Sequence, residues 1–174
     1  MADSGYELTP VSPALGATVR GVDLRAVSAK RAHDLRAAFL SHHVLFFPDQ
    51  ELTPTTLAQV GEIFGSPTFY PFIEGFAEEP RVIPIIKEAG ETKNFGEGWH
   101  SDTTYTATPP AATMLYAVDV PDMGGDTLFA NMHLAFSRLS ESMQTLLSRL
   151  RAINSSSKRR EGGRAEGNSF QSVK

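Results

Sequence analysis

Cysteine is missing from this 174-residue sequence, which removes disulfide frameworks, thiolate metal sites and cysteine nucleophiles together. A reducing compartment suits such a chain, and a cytoplasmic location is the expectation. No stretch reaches the roughly 18 consecutive apolar residues that a membrane span needs, so a membrane partner is not expected. The start, Met1-Ala2-Asp3-Ser4-Gly5, has no basic region followed by an apolar run, so no secretory signal is read. Positive charge is also scarce: 16 Lys and Arg face 20 Asp and Glu, giving a net charge of −4 and a pI near 5.7. That balance argues against nucleic acid as a partner. What remains, 41% hydrophobic and 21% charged, is the composition of one ordinary globular domain.

The apolar pattern predicts short strands joined by turns over residues 6–24, where Pro10, Pro13, Gly16 and Gly21 interrupt apolar pieces. Ser28 opens a helix whose buried stripe is Ala29, Ala32, Leu35, Ala38 and Phe39, with Lys30, Arg31, Asp34 and Arg36 facing out. Val44 to Phe47, ended by Pro48, reads as a buried strand. Thr53-Pro54 starts a second helix that Gly65 stops, with Leu57, Val60, Ile63 and Phe64 inward. Three more strands are expected at Val82–Ile86, Ala112–Val120 and Asp126–Ala130. Asn131 caps a final helical region with a broken stripe of Leu134, Leu139, Met143, Leu146, Leu147 and Leu150. From Asn154 to Lys174 the sequence turns to Ser, Gly, Lys and Arg, too polar to offset its ordering entropy, and a flexible basic tail is expected.

The chemistry concentrates in Asn94 to Tyr105. On a strand, residues two apart share a face, so His100 and Asp102 would aim an imidazole and a carboxylate at one point. One imidazole and one carboxylate, joined by a second histidine and with positions left open, is the ligand set of non-haem iron(II) oxygenases. The ordinary alternative is a strand histidine hydrogen-bonded to a nearby carboxylate. A glycine-rich approach precedes the pair, and Gly124-Gly125-Asp126-Thr127 follows it.

Trp99-His100-Ser101-Asp102, then Pro109-Pro110, Leu115-Tyr116 and Gly124-Gly-Asp-Thr-Leu-Phe-Ala-Asn131 resemble the TauD/TfdA dioxygenase family. The likeness runs back through Phe64-Gly65, Phe46-Phe47-Pro48-Asp49-Gln50 and Gly21-Val22-Asp23-Leu24, and so covers essentially residues 6–153. It implies a mainly β fold with flanking helices, a double-stranded β-helix (jelly roll, cupin-like). It also implies His100 and Asp102 as ligands of Fe(2+), with 2-oxoglutarate and dioxygen as cosubstrates and Thr127 helping to bind 2-oxoglutarate. A small organic-acid-like substrate would be hydroxylated as 2-oxoglutarate is decarboxylated to succinate. Tyr70, Asn94, Trp99 and Tyr105 are the residues expected to shape the substrate pocket.

Two departures from the family matter. Its second iron-binding histidine and its cosubstrate-clamping arginine belong well downstream of Gly124-Gly125. His33, His42, His43 and His133 lack that placement, and Arg159, Arg160 and Arg164 fall in the tail. A closed jelly roll also needs about eight core strands, and the pattern supplies roughly half. Residues 1–153 are therefore expected to be the N-terminal portion of an incomplete jelly roll, with 154–174 a tail or the start of the missing part. The second departure concerns substrate: where taurine-specific members carry His-Pro-x-Tyr, this chain has Tyr70-Pro71-Phe72-Ile73, which argues against taurine and for a more apolar pocket. Three alternatives stay open: a catalytically silent fragment, a homo-oligomer in which other chains supply strands, and a zinc hydrolase using Glu97 as base. The hydrolase lacks a His-Glu-x-x-His helix.

Overall fold

The computed structural model describes residues 5–92, 95–96, 98–156 and 171–173. Strand β1 (Glu7–Pro10) pairs antiparallel with β2 (Ala17–Arg20), as the turn-rich opening of the sequence implies. In the connection the Ser12 hydroxyl accepts from the amides of Ala14 and Leu15, and the Val11 amide donates to Gly16 O at 2.8 Å. Along β2, Ala17 and Val19 are buried while Thr18 and Arg20 are not, the two-residue period of a strand. Strand β3 (Leu45–Phe46) adds to β2 in parallel, so the order is β1-β2-β3 and the connection must cross over. That crossover is a single 3-10 turn, Leu24–Ala26, followed by helix α1, Ala29–His42.

Helix α1 begins where the sequence places it. The Ser28 hydroxyl accepts from the Arg31 amide, and the helix ends at His43, in the left-handed region at φ 64° with its amide bonded to Phe39 O. Its inward face carries Leu35, 0% exposed, and Ala38. Arg31 departs from the expectation. Rather than facing out it is buried at 8% exposure, with its guanidinium 4.6 Å from the Tyr6 ring centroid. A helical period places the side chain over the β1 side, and an aromatic face there accommodates a cation.

Helix α2 (Pro54–Gly61) carries a capping box between Thr53 and Thr56. It ends before the expected Gly65, because residues 62–64 tighten into turns in which Ile63 bonds to Val60 O and Phe64 to Gly61 O. Val19, Leu24, Leu35 and Val60 form the core, and Tyr6, Leu8, Leu45, Phe47, Ile63 and Met114 pack around it. Phe64 meets Phe39 edge-on at 5.4 Å.

The middle strands are where structure and sequence part. Among the described residues no ladder forms over 82–86, 112–120 or 126–130. Pro84 removes a ladder donor from the first. The other two find no partner strand, and Val118, Met123 and Leu128 stand exposed. Residues 112–115 keep a two-residue alternation all the same, with Ala112 and Met114 half-buried and Thr113 and Leu115 exposed. The expected β3 strand is likewise half-buried rather than buried. The final helical region is two short helices, α3 (Met132–Ser137, capped by Asn131) and α4 (Glu141–Leu147, capped by Ser140). Their apolar stripe is open, since Leu139, Met143, Leu146, Leu147 and Leu150 are exposed. Two ends of the segment expected to be a free tail are paired: β4 (Ile153–Ser155) runs antiparallel to β5 (Gln171–Val173).

Three bonds tie residues 112–131 to the N-terminal body. The Tyr116 hydroxyl donates to Gln50 O at 3.1 Å and accepts from the Leu52 amide at 3.3 Å, and the Asn131 amide group donates to Ala14 O at 2.7 Å.

Candidate metal centre

His100 and Asp102 do converge, but not as the sequence reading supposed. Residues 102–105 form a turn rather than a strand, and Thr103 has a positive φ of 45°. The Thr106 amide and hydroxyl both donate to Thr103 O, at 3.1 and 2.9 Å, and close that turn. At its start His100 Nε2, two residues upstream, lies 3.0 Å from Asp102 Oδ1, with the two side chains 52% and 48% exposed. The other ring nitrogen, Nδ1, lies 2.9 Å from Gly98 O. Gly96 allows the loop to wrap this closely: its φ is +73°, and a Cβ there would stand 3.4 Å from His100 Cε1.

The bonding of the imidazole constrains what the pair can be. A carbonyl oxygen only accepts, so Nδ1 must carry a proton. Nε2 then stands 3.0 Å from a carboxylate oxygen, near enough for the two to share a proton or a cation. The spacing suits a cation: two ligands at right angles on an ion with bonds of about 2.1 Å stand about 3.0 Å apart. A nitrogen and an oxygen donor, half-exposed, with the second ring nitrogen held by a backbone carbonyl, match the chemistry of a non-haem iron(II) site. Among the described residues no group of three His, Cys, Asp or Glu could hold a metal, and His100 and Asp102 come together as a pair of candidate donors.

One partner of the pair was missed from the sequence. The Thr113 hydroxyl donates to Asp102 Oδ2 at 2.7 Å, across eleven residues. No spacing rule announces such a contact, because it depends on how the 112–116 segment is laid over the turn.

An aromatic cluster adjoins the pair. Tyr70 meets Phe72 edge-on at 5.6 Å and Phe95 at 6.4 Å, and Phe72 lies 6.1 Å from Tyr105. Burial pushes the Tyr70 phenol above its ordinary value, and the negative charge of Asp102 adds to the rise. For Tyr105 burial again leads, followed by Tyr70 and Asp102. Both tyrosines therefore stand near the carboxylate as uncharged O–H groups. Trp99, for which a core position was an open alternative, is 71% exposed. Thr127 lies in the exposed stretch after Gly124 and Gly125, whose φ values are 85° and 73°, and no hydrogen bond joins it to His100 or Asp102 among the described residues. Asn94 and Glu97 lie outside the described residues, as do Arg159, Arg160 and Arg164.

His42 and His43 end α1, and His133, in the first turn of α3, stacks on His43 with ring centroids 5.7 Å apart. A separate open recess of about 370 Å³, lined by Glu62, Gly65, Ser66, Pro67 and Arg81, shares no residue with the pair. The Arg81 guanidinium is engaged there by Glu79, at 2.6 and 2.7 Å.

An imidazole and a carboxylate 3.0 Å apart, with aromatic neighbours, are donors of the kind that metal-dependent proteins use. The chain belongs to the taurine catabolism dioxygenase TauD, TfdA family, which it matches over residues 7–173. It is 30% identical over 169 residues to an alpha-ketoglutarate-dependent sulfonate dioxygenase of Saccharomyces cerevisiae, covering 90% of this chain and 41% of that protein. It is also 30% identical over 156 residues to an (S)-phenoxypropionate/alpha-ketoglutarate-dioxygenase of Delftia acidovorans, covering 81% and 51% respectively. The crystal structure of a taurine dioxygenase from Burkholderia xenovorans superposes with a TM-score of 0.70 at 31% identity, over 85% of this chain and 53% of that one. The chain thus spans about half the length of these relatives, or somewhat less.

Proposed function

We propose that this chain carries the His-x-Asp half of an iron(II) centre in a 2-oxoglutarate-dependent dioxygenase that hydroxylates a small organic-acid-like substrate. The observation that carries the reading is the 3.0 Å approach of His100 Nε2 to Asp102 Oδ1, with Nδ1 already engaged by Gly98. Iron(II), 2-oxoglutarate and dioxygen together would supply the oxidising chemistry, with succinate and carbon dioxide as coproducts. The chain's own part is positional. His100 and Asp102 present one nitrogen and one oxygen 3.0 Å apart on side chains that are about half-exposed. Thr127 is proposed to donate its hydroxyl to a cosubstrate carboxylate, approached closely past Gly124-Gly125.

Tyr70 and Tyr105, with Phe72 and Phe95, are proposed as the wall against which the substrate's apolar part lies. Trp99 would stand at its rim, and Asn94 is retained as a substrate-facing residue. A wall of four aromatic rings beside a carboxylate favours an apolar or aromatic body over taurine. For the fold, residues 1–153 are read as the N-terminal portion of a double-stranded β-helix. Its further strands would pair with 112–120 and 126–130 and cover the open apolar face of α3 and α4.

The test is anaerobic addition of iron(II) and 2-oxoglutarate, watching for the visible charge-transfer band of the chelate. The wild-type chain should develop the band and Asp102→Ala should not. An equal band in the variant, or none in well-folded wild type, refutes the assignment. A second reading rests on a specific observation: among the described residues only two ligands come together. On that reading the isolated chain binds metal but turns nothing over. Metal binding without succinate formation under oxygen would mark it.

A further inference from the structure

The two oxygens of the Asp102 carboxylate are divided between two neighbours. Oδ1 faces His100 Nε2 at 3.0 Å, and Oδ2 accepts the Thr113 hydroxyl at 2.7 Å. The second distance is that of a charge-assisted O–H···O bond, and an ionised carboxylate can only accept, so the direction of donation is fixed. A free aspartate carboxylate turns easily about its terminal torsion, whose energy wells are broad. The hydroxyl removes that freedom and presents Oδ1, not both oxygens, toward the imidazole.

Thr113 is well mounted for the task. Its neighbour Met114 packs against the core, and Tyr116 is bonded to the backbone at Gln50 and Leu52. The alternation of this segment turns Met114 inward and Thr113 to the opposite side, where Asp102 lies. The hydroxyl is thus carried by the packed body of the protein, while the carboxylate it grips belongs to an exposed turn.

We infer that Thr113 is a positioning residue for the metal ligand Asp102: it holds the carboxylate so that a single oxygen is offered to the ion. The inference rests on the proposed metal centre and extends it to a residue that binds no metal itself. Outer hydrogen bonds of this kind are worth about ten- to a hundredfold in metal affinity.

The experiment compares wild type, Thr113→Val, Thr113→Ser and Asp102→Ala, each checked for fold by circular dichroism. Trp99 is the single tryptophan and adjoins His100, so quenching of its emission by cobalt(II) reports binding without turnover. Thr113→Val, close in shape but without the hydroxyl, should weaken cobalt(II) binding about tenfold or more, and Thr113→Ser should restore it. Without metal, crystal structures should show a single ordered orientation of the Asp102 carboxylate in wild type and Thr113→Ser, and a spread of orientations in Thr113→Val. The inference is overturned if Thr113→Val binds cobalt(II) as wild type does, if the Asp102 carboxylate keeps one orientation in it, or if Thr113→Ser is as impaired as Thr113→Val. Failure of the metal centre looks different: wild type and Asp102→Ala would then bind alike, and the inference falls with it.

Discussion

Replacing Tyr116 by Phe keeps the ring and deletes the one atom that fastens residues 112–116 to the 50–52 loop. Two hydrogen bonds go, one donated to Gln50 O at 3.1 Å and one accepted from the Leu52 amide at 3.3 Å. A net intramolecular hydrogen bond contributes about 0.5–1.5 kcal/mol, and these two are longish and partly exposed, so together they are worth roughly 1–2 kcal/mol. At 1.4 kcal/mol per factor of ten, that loss should speed exchange of the Leu52 amide about 5- to 30-fold. The Ala17 amide, bonded to Val44 O at 2.9 Å inside the sheet, is the control and should change far less. Site-resolved hydrogen exchange measures both. If Leu52 exchanges unchanged, the tether is not a tether. If Ala17 accelerates equally, the loss is global, and the argument that Tyr116 locally holds the segment carrying Thr113 is refuted.

Other substitutions probe the core, the loop and the site. Leu35→Ala empties a position with 0% exposure and should cost about 2–5 kcal/mol in urea denaturation; a loss below about 1 kcal/mol would contradict its place in the core. Hydrogen bonds from Arg81 hold the Glu79 carboxyl below its ordinary range, so Glu79 stabilises the fold above about pH 4.3 and loses that contribution as pH falls toward its folded value. Thermal midpoints of Glu79→Gln should accordingly lie below wild type at neutral pH and converge on it in acid, and a gap independent of pH would count against the ion pair. Gly96→Ala places a Cβ 3.4 Å from His100 Cε1 at a φ of +73°, and should weaken cobalt(II) binding several-fold; unchanged affinity would show that the imidazole is not held by that loop.

Features that the sequence made legible are those decided within a few residues. Ser28, Thr53 and Asn131 cap the helices they precede, because a cap needs only a side-chain oxygen and an amide two or three positions on. The β1-β2 hairpin is local in the same sense. Strand status is not local, since a strand exists only when another backbone completes its hydrogen bonds. Ala112–Val120 has the composition and, in part, the alternation of a strand, yet no neighbouring ladder forms among the described residues. The leucine stripe of α4 fails to bury for the same kind of reason: amphipathic period marks a face that seeks cover and does not supply the cover. Arg31 shows the converse error, where charge alone suggested solvent but Tyr6 offered an aromatic face.

His100 and Asp102 come together, though not by the strand geometry that their spacing implies. A strand would have set His100 and Asp102 side by side through its two-residue pleat, with the side chains parallel. Parallel side chains on one strand present their donors side by side, and a metal must then recruit them by rotamer. Among the described residues no ladder holds this stretch: the backbone curls into a turn over residues 102–105, and Nε2 and Oδ1 stand 3.0 Å apart with both side chains about half-exposed. Such a curl exposes both groups and gives up the ladder bonds that would have stiffened a strand, so rigidity has to come from elsewhere. Gly98 O steadies one side of the imidazole, and Thr113 steadies the far oxygen of the carboxylate from a segment packed on the core. The His-x-Asp spacing thus marks the pair, while its orientation depends on a carbonyl two residues before the histidine and a hydroxyl eleven residues beyond the aspartate.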